Sequence, residues 1–233
     1  MVAEPVQAQA NSTQHRTTIL DLTLGTTAED LPEEAFIDYA CGTDGGPPGI
    51  AVGSFTEFAK CPAEQSGLHE VAFRYDDELE YRLLAQGLDN TAELNGGTKV
   101  SNYPVFASAL FDDQGILRGL RAVTDGRIDL RERTNAHLMA DAVQIQFGKE
   151  GFKCVENKPE KGEEPLAGSY INQQCSQVVD GELIYTEEHF FRRNGEQEVN
   201  PITGRVQQGF FDSSVRLEIR EPDAALDQNR RPL

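Results

Sequence analysis

Apolar and polar positions follow the same order in both halves of the chain. In the first half, Thr26 or Thr27 stands where a helix cap is expected, and acidic residues follow in the predicted first turn. Residues 33–41 predict another helical turn or two after Pro32. The first half is therefore expected to begin with short helices.

Strand patterns follow these helices. Val71, Phe73 and Tyr75 lie two residues apart and would share one face of a strand over residues 68–75. An acidic turn comes next, and residues 79–83 continue the alternation. The pattern thus predicts two strands, one on each side of this turn.

The strongest hairpin signal lies further along the first half. Apolar-rich runs at 103–111 and 116–123 are separated by Asp112-Asp-Gln-Gly115. Asp and Gly are residues that tight turns favour, so the two runs are predicted to pair as antiparallel strands.

The second half repeats this order. Asn135 is placed to cap a helix that runs to about Phe147, with Gly148 positioned for a left-handed cap. A polar loop between two cysteines follows. Strands are then predicted over residues 183–193, 205–211 and 214–220.

We therefore predict an α+β fold of two similar halves, each with short helices packed on an antiparallel sheet and one local disulfide. Residues 17–126 would form the first half and residues 127–221 the second. Residues 1–16 are predicted to be a disordered leader and residues 222–233 a disordered tail. Reuse of a common α+β unit, without a true internal repeat, is the alternative explanation.

The four cysteines fall into two sequence-local pairs, Cys41 with Cys61 and Cys154 with Cys175, separated by 20 and 21 positions. Of the three possible connectivities, the local one costs least in chain closure. Four-cysteine zinc sites usually have two close knuckles, which are missing here, so disulfides are favoured over zinc ligation and free thiols. Each bridge would contribute about 3 kcal/mol in the chain-entropy model. Disulfides persist outside the cytosol, which predicts a periplasmic or extracellular protein whose signal peptide has been removed.

A resemblance to a known family accompanies this pattern. A short apolar lead-in, the segment Leu24-Gly-Thr-Thr-Ala-Glu-Asp-Leu31, a disulfide-framed loop and a meander resemble the repeat of BamE-type envelope lipoproteins and β-lactamase inhibitory proteins. The resemblance covers residues 17–221 and implies tandem helical pairs on a concave antiparallel sheet. The lipid-bearing cysteine that begins a mature lipoprotein is missing, since the first cysteine is Cys41.

Charge excludes several kinds of partner. The chain has 39 acidic and 21 basic side chains, a formal net charge of −18. Such a surface repels phosphate backbones and anionic lipid, so we expect no nucleic-acid binding. The sequence contains no apolar run long enough for a membrane span. A protein partner with a basic patch is the simplest positive interpretation.

Candidate chemistry is sparse. Acidic residues cluster at 76–80, 112–113 and 160–164, but their spacing does not match a calcium loop, so we expect no metal and no cofactor. His189 near Glu187 is the candidate for an acid–base pair of an extracytoplasmic enzyme, or for a small-ligand carrier site, on the sheet. Exposed or hydrogen-bonded strand histidines are the structural alternative.

The preferred function is a non-enzymatic protein-binding or envelope-assembly module. A sheet face and the loop at 42–49, framed by the first disulfide, would hold a protein partner or a second copy of the chain. Consecutive aromatic residues in a strand point to opposite faces, so both sheet faces need a cover. The candidate partner-binding residues are Asp44, Pro47, Pro48, Phe55, Phe190, Phe191, Phe210 and Phe211.

Overall fold

A computed structural model describes residues 16–88, 97–193, 197–199, 206–208 and 211–222. The predicted tail falls outside these ranges except for Pro222, and the predicted leader except for Arg16. Twelve strands lie in the described part: β1 (Phe36–Cys41), β2 (His69–Tyr75), β3 (Lys99–Val100), β4 (Tyr103–Phe111), β5 (Leu117–Thr124), β6 (Lys153–Glu156), β7 (Glu163–Glu164), β8 (Ile171–Val179), β9 (Glu182–Arg193), β10 (Gln197–Val199), β11 (Val206–Gln208) and β12 (Phe211–Arg220).

Ten of these strands form one antiparallel sheet, in the order β1-β2-β4-β5-β12-β9-β8-β6, with β3 beside β4 and β7 beside β9. The remaining two, β10 and β11, pair with each other. The protein is therefore mostly β, and the prediction that each half has its own sheet is wrong. Each half supplies four strands of this order from one edge to the centre, where β5 pairs with β12.

The pairing of β5 with β12 explains why the halves merge. Each of these strands comes last in its own half, so a separate half would expose its backbone hydrogen-bonding groups along an open edge. Ala122 lies opposite Leu217 and Leu120 opposite Ile219, so the pairing also buries apolar side chains from both halves together. The boundary predicted at residues 126–127 falls between β5 and the next helix.

One face of the sheet, the apolar face, carries the core. Phe73, Ala107, Ala122 and Leu217 lie directly opposite one another along one row of this face. Short 3-10 turns near the start of the chain and a helix in the second half cover it, since their apolar residues join the same buried cluster. Burial of this face is the main stabilising contribution to the fold.

The helices are short. The 3-10 turns span Ile19–Asp21, Ala28–Asp30, Glu33–Ala35, Phe55–Lys60 and Lys149–Gly151, and the α-helices are α1 (Glu78–Ala85), α2 (Leu130–Thr134) and α3 (Leu138–Phe147). The second-half helix predicted to end before Gly148 corresponds to α3, and Gly148 is left-handed with φ 90°. In the first half, Thr27 precedes one 3-10 turn where a helix was predicted.

Two predictions around the first-half strands are wrong. Residues 36–41 form β1 and no helix, because Phe36 and Cys41 pair with β2 and bury their side chains. The strand predicted over residues 79–83 is α1, because Asp76 accepts a hydrogen bond from the Glu78 backbone N–H at its start. The hairpin of β4 and β5 is confirmed, with Asp112 and Gly115 in its turn.

Both local disulfides are present. Cys41 is bonded to Cys61, and Cys154 to Cys175. The second bond joins directly opposite residues of β6 and β8, two strands that lie where a polar loop was predicted. The polar side chains of β8 concealed this pairing. Two disulfides indicate an oxidising, extracytoplasmic environment.

Candidate functional site

The other face of the sheet, the charged face, holds a network of arginines and carboxylates. Arg121 of β5 lies directly opposite Glu218 of β12, and its Nε donates to Glu218 Oε1 at 3.0 Å. Both Glu218 carboxylate oxygens accept further bonds, one from Arg216 and one from Arg220. Arg121 and Glu218 are only 3% and 1% exposed, so these charges are compensated by one another away from water.

Arg121 also reaches three carboxylates outside β12, those of Glu64, Glu70 and Asp44, the last at 3.3 Å. Its guanidinium donates to both oxygens of Glu64, at 2.6 and 3.1 Å, and lies 3.1 Å from Glu70 Oε2. Burial alone lowers the pKa of Arg121, but the bond to Glu64 and the nearby carboxylate charges outweigh it and raise this pKa. Burial raises the pKa of Glu64, against the opposing effect of Arg121. Arg121 therefore stays charged and ties the loop around Glu64 to the sheet.

Side chains of this network bind the inner side of the Gly/Pro-rich loop, residues 42–49. The Glu70 carboxylate accepts hydrogen bonds from the backbone N–H groups of Asp44 and Gly45, at 2.6 and 3.3 Å. Arg216 donates to the Asp44 backbone carbonyl at 2.6 Å, and its guanidinium lies 3.1 Å from the Asp44 carboxylate. Charged groups on three strands therefore fix the inner half of the loop.

The ends of the loop are fixed as well. The Cys41 N–H donates to the Ile50 carbonyl, and the Gly49 N–H donates to the Cys41 carbonyl, both at 2.8 Å. The Thr43 hydroxyl donates to the Pro47 carbonyl across the loop. The buried Cys41–Cys61 bond then joins the start of the loop to the 3-10 turn that follows it.

The outer side of the loop presents apolar groups to solvent. Pro47 and Pro48 are exposed, and Ile50 next to the loop is 74% exposed. An apolar side chain at this level of exposure on a fixed backbone is suited to recognition, because little conformational entropy is lost on contact. We call residues 42–50 the recognition loop.

A cavity of about 470 Å³ opens beside the recognition loop on the charged face. Pro48 forms one wall, and Ala72 and Phe106, from β2 and β4, contribute apolar surface. Charged residues that also line it are Asp38, Arg74, Asp125 and Arg127. The cavity therefore combines an apolar interior with charges of both signs, a composition typical of pockets that receive a partner or ligand group.

The alternative site around His189 is a half-buried ion cluster. His189 Nε2 lies 3.2 Å from Glu187 Oε1, and Nδ1 lies 3.6 Å from Asp212 Oδ2. Burial lowers the pKa of His189, but the hydrogen bonds with Asp212 and Glu187 outweigh it and raise the pKa to about 9. The imidazole is therefore protonated at neutral pH, which does not suit it to act as a general base.

The predicted aromatic anchors Phe55, Phe190 and Phe191 are buried, unlike the exposed residues of the recognition loop. Phe55 is fully buried in the core, so it is not available as a surface anchor. Phe190 packs against His137 on the apolar face, and Phe191 stacks on Tyr170 on the opposite face. The chain itself therefore covers both aromatic residues.

The last two predicted anchors, Phe210 and Phe211, stay predictions. Phe211 is half-buried, and the Arg133 guanidinium lies 4.7 Å from its ring centroid. Phe210 lies outside the described residues. Of the eight predicted partner-binding residues, Asp44, Pro47 and Pro48 belong to the recognition loop, and only the two prolines contribute to its exposed apolar side.

The acidic turns have local structural roles. Asp112 accepts hydrogen bonds from the backbone N–H groups of Gln114 and Ile116 and pairs with Arg118. Within the described ranges, no three His, Cys, Asp or Glu residues are grouped closely enough to hold a metal ion. No helix in that part of the chain is long and apolar enough to cross a membrane.

The charged network was missed by sequence reasoning. Arg216, Glu218 and Arg220 alternate with buried Val215, Leu217 and Ile219, which shows that they share one face of a strand. Nothing in the sequence identifies β5 as the neighbouring strand that brings Arg121 to them. The sequence therefore indicated a charged face on this strand but not the network that the face forms with Arg121.

Comparison with known proteins adds no relative: no protein-family model, curated protein or solved structure matches this chain. The resemblance to BamE-type lipoproteins and β-lactamase inhibitory proteins stays a prediction.

Proposed function

We propose that this protein is a non-enzymatic protein-binding module that works outside the cytosol, in the periplasm or the extracellular space. The recognition loop and the cavity beside it would form the contact surface. The supporting observation is the contrast within the loop, whose backbone is held by Glu70 and Arg216 while Ile50 is 74% exposed. The two disulfides support the extracytoplasmic location.

A fixed loop favours binding for a thermodynamic reason. A mobile loop loses conformational entropy when it is ordered in a complex, whereas this loop is already held in the free protein. Large side chains in desolvated central pockets dominate most protein interfaces, and a cavity next to an exposed Ile provides such a centre. Envelope-complex assembly is one form that this binding would take, and self-association is another.

Two exposed isoleucines allow a matched test. Ile50 is on the recognition loop, and Ile145 is on α3 with 67% exposure. We would immobilise the wild-type protein, Ile50→Asp and Ile145→Asp, and quantify proteins retained from an extracytoplasmic extract of the source organism.

A partner retained by the wild type and Ile145→Asp, but reduced at least about tenfold by Ile50→Asp, supports the proposal. Equal retention by both variants of every protein that the wild type captures would overturn it. Light scattering of the purified protein tests self-association, which Ile50→Asp should abolish if a second copy is the partner.

A further inference from the structure

We infer that the cavity beside the recognition loop receives an apolar side chain from a basic segment of the partner, one in which Lys or Arg flanks the apolar residue. This inference deepens the proposed function and rests on it. It names the chemistry of the partner, which the exposed loop alone does not.

The interior of the cavity fits an apolar group. Ala72 and Phe106 lie on β2 and β4 on the charged face of the sheet, and Pro48 closes the side next to the loop. The Arg127 guanidinium lies over the Phe106 ring at 4.5 Å from its centroid, so one side of this ring is already occupied. A volume of about 470 Å³ accommodates a large aliphatic or aromatic side chain together with neighbouring backbone.

The charged residues at and next to the cavity are more negative than positive when Asp77, the neighbour of Arg74, is included. Arg74 forms ion pairs with Asp38 and Asp77, at 2.7 and 2.8 Å, and Arg127 pairs with Asp125 at 2.7 Å. Among the residues that line the cavity, Asp38 and Asp125 balance Arg74 and Arg127, and Asp77, which pairs with Arg74 from outside the lining, adds one further negative charge. Both arginines are already paired with carboxylates of this chain, so an acidic partner would have to compete with them.

Asp38 is the rim carboxylate best placed to meet a partner's cation. Its side chain is 61% exposed, and the bond to Arg74 uses Oδ2. Asp38 has a left-handed backbone, with φ 55°, at an irregularity in the pairing of β1 with β2. Bulges of this kind re-aim side chains at sheet edges, and here the carboxylate lies at the cavity.

The charge of the whole molecule favours the same partner. At a net charge of −18, the chain attracts basic surfaces and repels acidic ones over distances of about a Debye length. The charges around the cavity and the net charge of the molecule therefore both favour a positively charged partner. An apolar residue flanked by Lys or Arg satisfies both the interior and the rim.

The probe for the test is a library of random twelve-residue peptides displayed on phage, selected against the full chain. Enriched peptides are then synthesised and titrated by calorimetry against the wild type and four variants. Ile50→Asp tests the loop, Ala72→Leu fills the cavity, and Asp38→Asn removes the exposed rim charge. Asp180→Asn is the matched control, because it removes one exposed carboxylate from the distant β8–β9 turn.

We expect enriched peptides with one large apolar residue next to Lys or Arg. Asp38→Asn should weaken their binding about two- to fivefold, the usual range for an exposed ion pair, and Asp180→Asn should leave it within about 1.5-fold. Ala72→Leu should weaken it more than about tenfold. Because Ala72 is buried, its variant is checked by thermal unfolding, and Asp38→Asn keeps the test valid if Ala72→Leu does not fold.

The failures are distinguishable. Peptides that lose binding with Ile50→Asp but lack basic residues, or are unaffected by Asp38→Asn, would overturn the inference and leave the proposed function standing. Enrichment of acidic peptides, or of peptides insensitive to a folded Ala72→Leu, would also overturn the inference. If no enriched peptide responds to Ile50→Asp, the proposed function itself fails.

Discussion

The two edges of the sheet each carry a disulfide, but the surroundings of the two bonds differ. At the β1 edge, Cys41 and Cys61 are 4% and 2% exposed and lie beneath a loop held by buried charges. At the β6 edge, all four residues of the strand are exposed, including Cys154. The two rings span 20 and 21 positions, so their chain-entropy contributions are nearly equal, about 3 kcal/mol each.

What differs between the edges is therefore the structure around the bond. The first bond fixes a recognition loop, whereas the second joins opposite residues of two strands that are already paired. A disulfide alone does not make an edge suited to binding. At the first edge, buried charges hold the backbone of a loop that carries an exposed apolar side chain.

Removal of the Arg121 charge should produce the largest difference between the two edges of the sheet. Arg121→Met leaves Glu64, Glu70 and Glu218 close together without their shared cation. We expect a loss of about 3–5 kcal/mol in the free energy of unfolding, the usual cost of breaking a buried ion pair from one side. Chemical denaturation measures it, with Lys149→Met as control.

Lys149 is a suitable control because its pair with Asp141 near the other edge is exposed. Its loss should cost no more than about 1 kcal/mol. Equal effects of the two substitutions would show that the network contributes nothing special and that the loop is held by its backbone hydrogen bonds alone.

The two disulfides should respond differently to a reductant under native conditions. Cys154 is exposed, so the β6 bond should be reduced first, and its loss should cost about 3 kcal/mol or less. Cys41 and Cys61 are both buried, whereas in the second pair only Cys175 is, so Cys41→Ala/Cys61→Ala should cost about 1–2 kcal/mol more because it leaves a cavity at both positions. Mass spectrometry after alkylation gives the order of reduction, and denaturation of the two double variants gives the energies.

Reduction of the Cys41–Cys61 bond before the Cys154–Cys175 bond would contradict the comparison. So would equal destabilisation by the two double variants, since equal ring sizes would then account for the whole effect.

The sequence predicted local features better than the pairing between distant segments. The β4–β5 hairpin and the Gly148 cap depend on neighbouring residues, and both were correctly predicted. The strand β8 was missed because Asn172, Gln173 and Gln174 lack an apolar alternation, although the cysteine pair placed β6 near it. The helix α1 was mistaken for a strand because a short apolar run fits both periods.

The candidate site shows the same limit. A rigid exposed loop over residues 42–49 was predicted from its Gly and Pro residues and the nearby cysteine. Arg121 and Glu218 are 97 positions apart, and only the pairing of β5 with β12 brings them together. Phe55 was predicted to bind a partner because residue type alone does not distinguish an aromatic side chain of the core from one at an interface. Register and burial are properties of the whole fold, so residue types alone did not provide them.

The charge cluster around His189 gives the second half a pH dependence. The folded pKa of about 9 lies above the unfolded value of 6.5, so the stabilisation is complete below pH 6.5 and is lost as the pH rises through 9. From pH 6 to pH 10 the wild type should lose up to about 3 kcal/mol more stability than His189→Gln. Parallel stability curves for the two proteins would contradict the assignment, and NMR titration of the imidazole gives its pKa directly.

The smallest expected difference concerns two glycines with similar backbones. Gly45, in the recognition loop, has φ 80°, and Gly181, in the β8–β9 turn, has φ 88°. An added Cβ at Gly45 would lie 2.2 Å from Val123 Cγ2, whereas at Gly181 it would meet nothing within 4 Å. Alanine should cost about 1–2 kcal/mol at both positions because of the left-handed backbone.

At Gly45 the contact with Val123 should add about 1–3 kcal/mol and displace the loop. Gly45→Ala should therefore also weaken the binding of any ligand whose affinity depends on Ile50, whereas Gly181→Ala should leave that binding unchanged. The double variant Gly45→Ala/Val123→Ala removes the methyl group at 2.2 Å but keeps the Val123 Cβ at 2.9 Å, so it should recover part of the ligand binding lost in Gly45→Ala, although Val123→Ala alone costs some stability. Recovery would show that the loop recognises its partner because it is packed against β5, whereas unchanged binding in Gly45→Ala would show that this packing is not needed.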